Sequence, residues 1–291
     1  MTQPRFGPAG TADSFRTMGY KNSIQVPEYL SGFGLTAFEY QCGRGVRVNP
    51  DTAAKLKAKA EEYGVALSLH APYYISLSSV DPETRQKSIG YILDSAKAAR
   101  AMGAGRVVVH SGSCSKISRE EALELAKQTL KKAQQTLDEN GLGEIILCPE
   151  TMGKFNQLGT LEEVLELCGV EERFLPCIDF GHLNARTLGG MSTQSDFAAA
   201  LELVENKLGR DRASRFHSHF SKIEYTPGGG EKRHLTFADT QYGPDCEPLM
   251  ELIAEKGYHP TFICESAGTQ TEDAATMQAV YLHYCSRKTT D

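Results

Sequence analysis

No apolar run in the chain approaches the roughly 18 residues that a membrane-spanning helix requires. Residues 1–10 lack the basic-then-apolar layout of a secretory signal, so the expected location is the cytoplasm. The eight cysteines include no C-x-x-C pair and follow no framework spacing, and they read as reduced thiols rather than disulfides. Positive charge is not in surplus either. The net charge of −6 argues against a protein that coats nucleic acid, yet leaves room for a local DNA-binding face if bound cations offset acidic side chains. No linker, low-complexity segment or internal sequence repeat divides the 291 residues, a length that α/β barrels reach as one domain.

What is present is an alternation of short apolar runs with amphipathic helices. Strands are expected at 4–10, 34–42, 65–69, 106–109, 144–148, 174–178, 215–220 and 261–264. Helices are expected at 23–29, 50–63, 81–102, 118–140, 160–167, 195–208, 248–256 and 271–285. Ser118 with Glu121, and Thr160 with Glu163, supply capping boxes, and Ser195 is the expected cap of its helix. Gly64, Gly103 and Gly141 follow helices as stops. A glycine-rich loop at 228–234 breaks the rhythm. Eight strands alternating with helices define a single (β/α)8 TIM barrel, taken as one domain over residues 1–291.

The chemistry-bearing residues cluster on this framework. His70, His110, Glu150, Asp179, His217 and Glu265 each fall at the C-terminal end of a different expected strand, and in a barrel those ends converge on one mouth. His182 and His234 follow on adjoining loops. A lone strand-end histidine is commonly a satisfied polar residue, and a carboxylate there commonly caps the next helix. Six such residues on one rim make a metal site the better reading. Imidazole and carboxylate without thiolate suit zinc or manganese, and the number of ligands suits more than one ion, as in two-metal hydrolases.

The segments SLHAPYYISL, VVVHSGS, CPETMGK, CIDFGHLNA, FHSHFSK, EKRHLTF and ICESAG resemble, in order and spacing, the endonuclease IV family of abasic-site endonucleases. The resemblance implies a monomeric zinc enzyme that hydrolyses the phosphodiester 5′ of an abasic nucleotide in duplex DNA by way of a metal-bridging hydroxide. It implies two or three ions, with manganese an option at one site. His70, His110 and Glu150 would hold the first, and Glu150, Asp179, His217 and Glu265 the second. His182 and His234 would serve the third. Glu150 as the bridge and Glu265 as the residue orienting or deprotonating the nucleophile would be catalytic. Tyr73 and Tyr74 match the family's loop that enters the base stack, and Arg44 and Arg47 on a neighbouring loop would contact phosphates.

Two departures from the family stand out. Where its third ion takes an Asp two residues before the histidine matching His234, this chain has Lys232, and a protonated lysine cannot ligate a cation. Either the third site is empty, or Glu231, Asp239 or His219 is recruited instead, or the Lys232 ammonium replaces the ion's charge at a phosphate oxygen. After His234 the family's Gly-Glu-Gly turn is replaced by Thr236-Phe237-Ala238-Asp239-Thr240. His219, two residues after His217, shares its strand face and is open to a ligand, supporting or packing role. The alternative enzyme class is a xylose-isomerase-like sugar isomerase or epimerase, with one divalent metal on Glu150, Asp179, His217 and Glu265. A third class is a metal-containing binding protein without catalysis.

Overall fold

A computed structural model describes residues 3–114 and 116–288. Eight parallel strands form one sheet: β1 (Arg5–Pro8), β2 (Ala37–Gln41), β3 (Ala66–His70), β4 (Arg106–His110), β5 (Ile146–Glu150), β6 (Cys177–Asp179), β7 (His217–Phe220) and, last in sequence, β10 (Thr261–Cys264). Their order is β1-β10-β7-β6-β5-β4-β3-β2. The two ends meet through an Ala9–Glu39 bridge and through Thr36 N donating to Phe6 O at 3.0 Å, which closes the barrel. Gly7 permits that closure: a Cβ there would lie 1.7 Å from Ala37 O. The sheet is therefore the expected (β/α)8 barrel.

The helices are α1 (Asp13–Thr17), α2 (Val26–Ser31), α3 (Pro50–Tyr63), α4 (Pro82–Met102), α5 (Arg119–Glu139), α6 (Leu161–Cys168), α7 (Phe180–Arg186), α8 (Gln194–Ser214), α9 (Glu247–Lys256) and α10 (Gln270–Lys288). Local chemistry sets their ends. Asn49 and Asp81 cap α3 and α4, while the Ser118–Glu121 and Thr160–Glu163 boxes open α5 and α6. Gly64 and Gly103 end α3 and α4 in the left-handed conformation.

Three sequence expectations change. The cap of α8 is Thr193, not Ser195, because Asp196 completes a box with Thr193, and Gly209 (φ 81°) interrupts that helix before Ser214. The glycine-rich segment is not a free loop. It turns an antiparallel hairpin, β8 (Lys222–Thr226) with β9 (Gly230–Leu235), that docks on the loop after β5 through Glu231 N to Gly153 O at 3.1 Å. Between Asp179 and Thr187 the chain forms the short helix α7, capped by Asp179 itself.

Strand alternation divides the interior. Phe6, Phe38, Leu67, Leu69, Val107, Val109, Leu147, Ile178 and Phe262 belong to the main apolar core. Residues of the other parity face the axis. There Val108, Cys148 and Cys177 pack with Leu175 in a separate small cluster, so the two cysteines fill barrel interior below the rim. The same interior holds a set of buried polar residues: Glu39, Ser68, His217 and His219.

Candidate metal centre

The axis-facing residues at the C-terminal rim form a connected set of potential ligands. Glu150 is its hinge. Its Oε2 lies 3.3 Å from both His70 Nε2 and His110 Nε2, while Oε1 accepts from His219 Nδ1 at 3.0 Å. One buried carboxylate thus joins two groups, His70/His110 on one side and Asp179/His219/Glu265 on the other. Ligand atoms of Glu150, Asp179, His219 and Glu265 all lie within 4.8 Å of one another. A further group, His182, Glu231 and His234, meets the same criterion beneath the hairpin.

Hydrogen bonds to the remaining ring nitrogens aim the imidazoles. His70 Nδ1 donates to Ala71 O at 2.7 Å, and His182 Nδ1 donates to Thr151 O at 2.8 Å, which leaves each Nε2 facing the carboxylates. His234 Nδ1 shares a 2.8 Å bond with Ser221 Oγ, so its Nε2 is also free. Asp179 serves two purposes: Oδ1 caps α7 by accepting His182 N at 2.7 Å, while the buried Oδ2 has no hydrogen-bond partner and meets His182 Nδ1 only as an ionic contact at 3.2 Å.

That oxygen, lacking a hydrogen bond, tests whether a cation fits. Buried carboxylate oxygens are almost always satisfied, and here burial, then Glu265 and Glu150, raise the Asp179 carboxyl against the pull of His182. Three carboxylates converging with imidazoles and no thiolate match the donor set of zinc or manganese. In the metal-free protein, burial opposes the charged imidazole at His70 and His182. Glu150 for the first, and Asp179 and Glu231 for the second, nevertheless carry each up to about 9. Burial prevails at His110, which falls to about 4.

The structure does not bring His217 into the group of Glu150, Asp179 and Glu265. His217 lies one strand pair deeper, where its Nε2 donates to Glu39 Oε2 at 2.9 Å and Arg106 approaches its Nδ1 at 3.5 Å. His219 takes the place beside Asp179 and Glu265. Cys177, His217 and His219 also come within 4.8 Å of one another below the rim, but burial keeps the Cys177 thiol well above its usual range, unsuited to thiolate ligation.

Glu39 was absent from the sequence-derived set. It is fully buried, accepts from His217, from His219 Nε2 at 2.9 Å and from Ser68 Oγ at 2.9 Å, and thereby orients the second group from below. Burial resists its ionisation, but His219 and His217 hold its carboxyl well below the usual range.

Lys232 is likewise not brought into a ligand group. It points away from the site and pairs with Glu224 at 2.5 Å. A β-bulge explains the exchange. Ile223 pairs with His234 and Glu224 with Arg233, but Tyr225 pairs with Glu231, so Lys232 is the extra residue. In a regular strand residues 231 and 234 would face opposite sides; the inserted residue brings both to one side. Glu231 Oε2 then lies 3.4 Å from His182 Nε2. Gly153 leaves the room, since a Cβ there would fall 2.6 Å from Glu231 Cβ. Asp239 is occupied elsewhere, accepting Gln241 N at 2.9 Å and Tyr242 N at 2.8 Å.

Tyr73 and Tyr74 stand exposed on the loop after β3, beside the loop after β2 that carries Arg44 and Arg47. The two loops touch through Tyr73 N donating to Gly43 O at 3.3 Å. Arg44, Arg47, Tyr74 and Tyr91 line a cavity of about 540 Å³ between that loop and α4.

Fold and rim together define a (β/α)8 barrel with grouped potential metal ligands at its C-terminal mouth. The chain belongs to the xylose isomerase-like TIM barrel family, whose model matches residues 27–281. It is 34% identical to an uncharacterized protein of Methanocaldococcus jannaschii over 90% of this chain and 91% of that one. It is 30% identical to the probable endonuclease 4 of Acholeplasma laidlawii over 70% of this chain and 68% of the relative, which makes it a relative of the endonuclease IV proteins. A solved D-tagatose 3-epimerase-like protein superimposes with a TM-score of 0.73 at 21% identity, covering 98% of this chain and 99% of that one, a likeness of fold alone. Among the described residues no helix is long and apolar enough to cross a membrane.

Proposed function

We propose that the chain is a metal-dependent phosphodiesterase of the endonuclease IV type, cutting duplex DNA 5′ of abasic nucleotides. The observation that carries this reading is the third ligand group, His182, Glu231 and His234, set beside His70/Glu150/His219 and Glu150/Asp179/His219/Glu265, with His110 Nε2 3.3 Å from Glu150 Oε2. A single-metal sugar enzyme has no need of it. His70, His110 and Glu150 would hold one ion, Glu150, Asp179, His219 and Glu265 a second, and His182, Glu231 and His234 a third. Zinc or manganese bound there supplies Lewis-acid stabilisation of phosphoryl charge and lowers the pKa of a bound water.

The chain's own residues do the rest. Glu265, half-buried at the rim, is placed to orient a water or take its proton, and Glu150 keeps the two inner groups in register. Tyr73 and Tyr74 present aromatic faces for the unstacked bases beside the lesion, and Arg44 and Arg47 offer phosphate contacts. Lys232, exposed outside the ligand group, would reach the duplex backbone by exchanging its Glu224 partner for a phosphate.

One observation favours a sugar epimerase instead: Glu150, Asp179, His219 and Glu265 make a compact four-ligand site without the other two groups. The variants His182→Ala and His234→Ala separate the readings. On the phosphodiesterase reading both lose most nicking of abasic duplex. Ketose epimerisation that survives both substitutions, in a protein that does not nick, supports the epimerase; full nicking in both variants would remove the third group from the catalytic reading.

A further inference from the structure

The axis-facing parity that places ligands at the C-terminal rim also places Arg5, Arg106 and Thr261 at the opposite, N-terminal end. There they line a cavity of about 390 Å³ together with Lys57, Glu61 and Ser68. Three cations face one carboxylate across it. Arg106 meets only neutral acceptors: Phe216 O at 3.3 Å, Arg215 O at 3.0 Å and His217 Nδ1 at 3.5 Å. Arg5 uses one terminal nitrogen, on Thr36 O at 3.3 Å and Gly64 O at 3.4 Å. Among the described residues no carboxylate forms an ion pair with Arg5, Lys57 or Arg106.

We propose that this N-terminal cavity binds a small phosphate-class oxyanion between Arg106 and Arg5, with Lys57 closing the side. A guanidinium carries five N–H donors, and the contacts above leave the Nε–H of each arginine uncommitted, so each can meet an oxyanion along an edge. A cation drawn into the protein without a counter-ion is costly, and an anion from solution offsets that cost. Burial, with Arg215 and Arg5 nearby, already lowers the Arg106 pKa, the direction expected of a cation lacking its partner. The cavity reaches Ser68, whose hydroxyl donates to Glu39, so the occupant would sit next to the polar column beneath the metal centre.

Orthophosphate and the phosphate of a nucleotide share this chemistry. Calorimetric titration of the metal-loaded protein with inorganic phosphate, and separately with deoxyadenosine monophosphate, tests the site in wild type, Arg5→Gln and Arg106→Lys. Metal content and circular dichroism establish that each variant is loaded and folded. Arg5 is exposed and outside the proposed active site, so its substitution leaves the fold and nicking unchanged. The expected result is a phosphate-binding event weakened about tenfold or more in Arg5→Gln, and reduced in Arg106→Lys. A tighter fit of the nucleotide, with the same Arg5 dependence, identifies a nucleotide as the source; equal or weaker binding identifies inorganic phosphate. Isotherms for both ligands that superimpose across all three proteins overturn the proposal.

Discussion

His219 Nε2 donates to Glu39 Oε1 at 2.9 Å on the barrel axis, in a place where neither side chain reaches solvent. The opposite ring nitrogen faces Glu150, so a carboxylate in the middle of β2 fixes how an imidazole at the end of β7 is presented to the rim. Such outer partners commonly govern metal affinity as strongly as the ligands they hold. Glu39→Ala should lower metal affinity at the Glu150–Asp179–His219–Glu265 group by about 10–100-fold. It should also cost about 3–5 kcal/mol of stability, because two buried imidazoles lose their acceptor. Glu39→Gln, which keeps an acceptor oxygen, should fall between. Competition with a chromophoric chelator, alongside urea unfolding, measures both effects; unchanged affinity in Glu39→Ala would show that His219 needs no support from below.

The bulge in β9 makes a sharper claim. Glu231→Ala should bind one ion fewer than wild type, while Lys232→Ala should keep the full complement. Elemental analysis after exhaustive dialysis reads the difference. The reverse pattern would return Lys232 to the site and remove Glu231 from it.

Metal loading should release protons. The folded, metal-free pKa of His70 and of His182 is raised to about 9, so both imidazoles carry protons in neutral solution that a metal must displace. Metal affinity should therefore rise with pH through that range. For the metal-free protein the sign runs the other way. The stabilisation from these pairs is complete below the unfolded histidine value of about 6.5 and is lost as pH climbs through about 9. Titration of metal in weakly buffered solution with a pH-stat checks the release, and zero proton release at neutral pH contradicts the protonated pairs.

Closure of the barrel rests on one missing side chain. A Cβ at residue 7 would occupy the position of Ala37 O, so Gly7→Ala must part β1 from β2. The expected cost is about 1–3 kcal/mol or more, seen as a lowered denaturation midpoint. Wild-type stability in Gly7→Ala would mean the β1–β2 seam opens at no cost.

Much of this rim was legible because a parallel barrel converts sequence period into position. Strand-end residues such as His70, His110, Glu150 and Asp179 meet whatever the helices do. Where the period was ambiguous, the sequence left two candidates. His217 and His219 share a face, and only the point at which β7 ends distinguishes ligand from support. Glu39 lies mid-strand, and its signal was a carboxylate at inward parity within an otherwise buried strand, opposite Ser68. The bulge at Lys232 was hidden altogether, since no residue type announces it and it reverses the parity on which the comparison depended. Asp179 and His182 looked like a metal motif and are also a helix cap with its acceptor and donor, so the local and the chemical readings coincide there.

The most direct measurement is strand cleavage of a duplex carrying one stable abasic analogue by the metal-loaded protein. The expected result is a single nick 5′ to the analogue, absent on an intact duplex, abolished by chelator and by Glu150→Gln, and restored by zinc or manganese after chelation. A fully loaded, folded protein that leaves the abasic strand whole with either metal would contradict the proposed function.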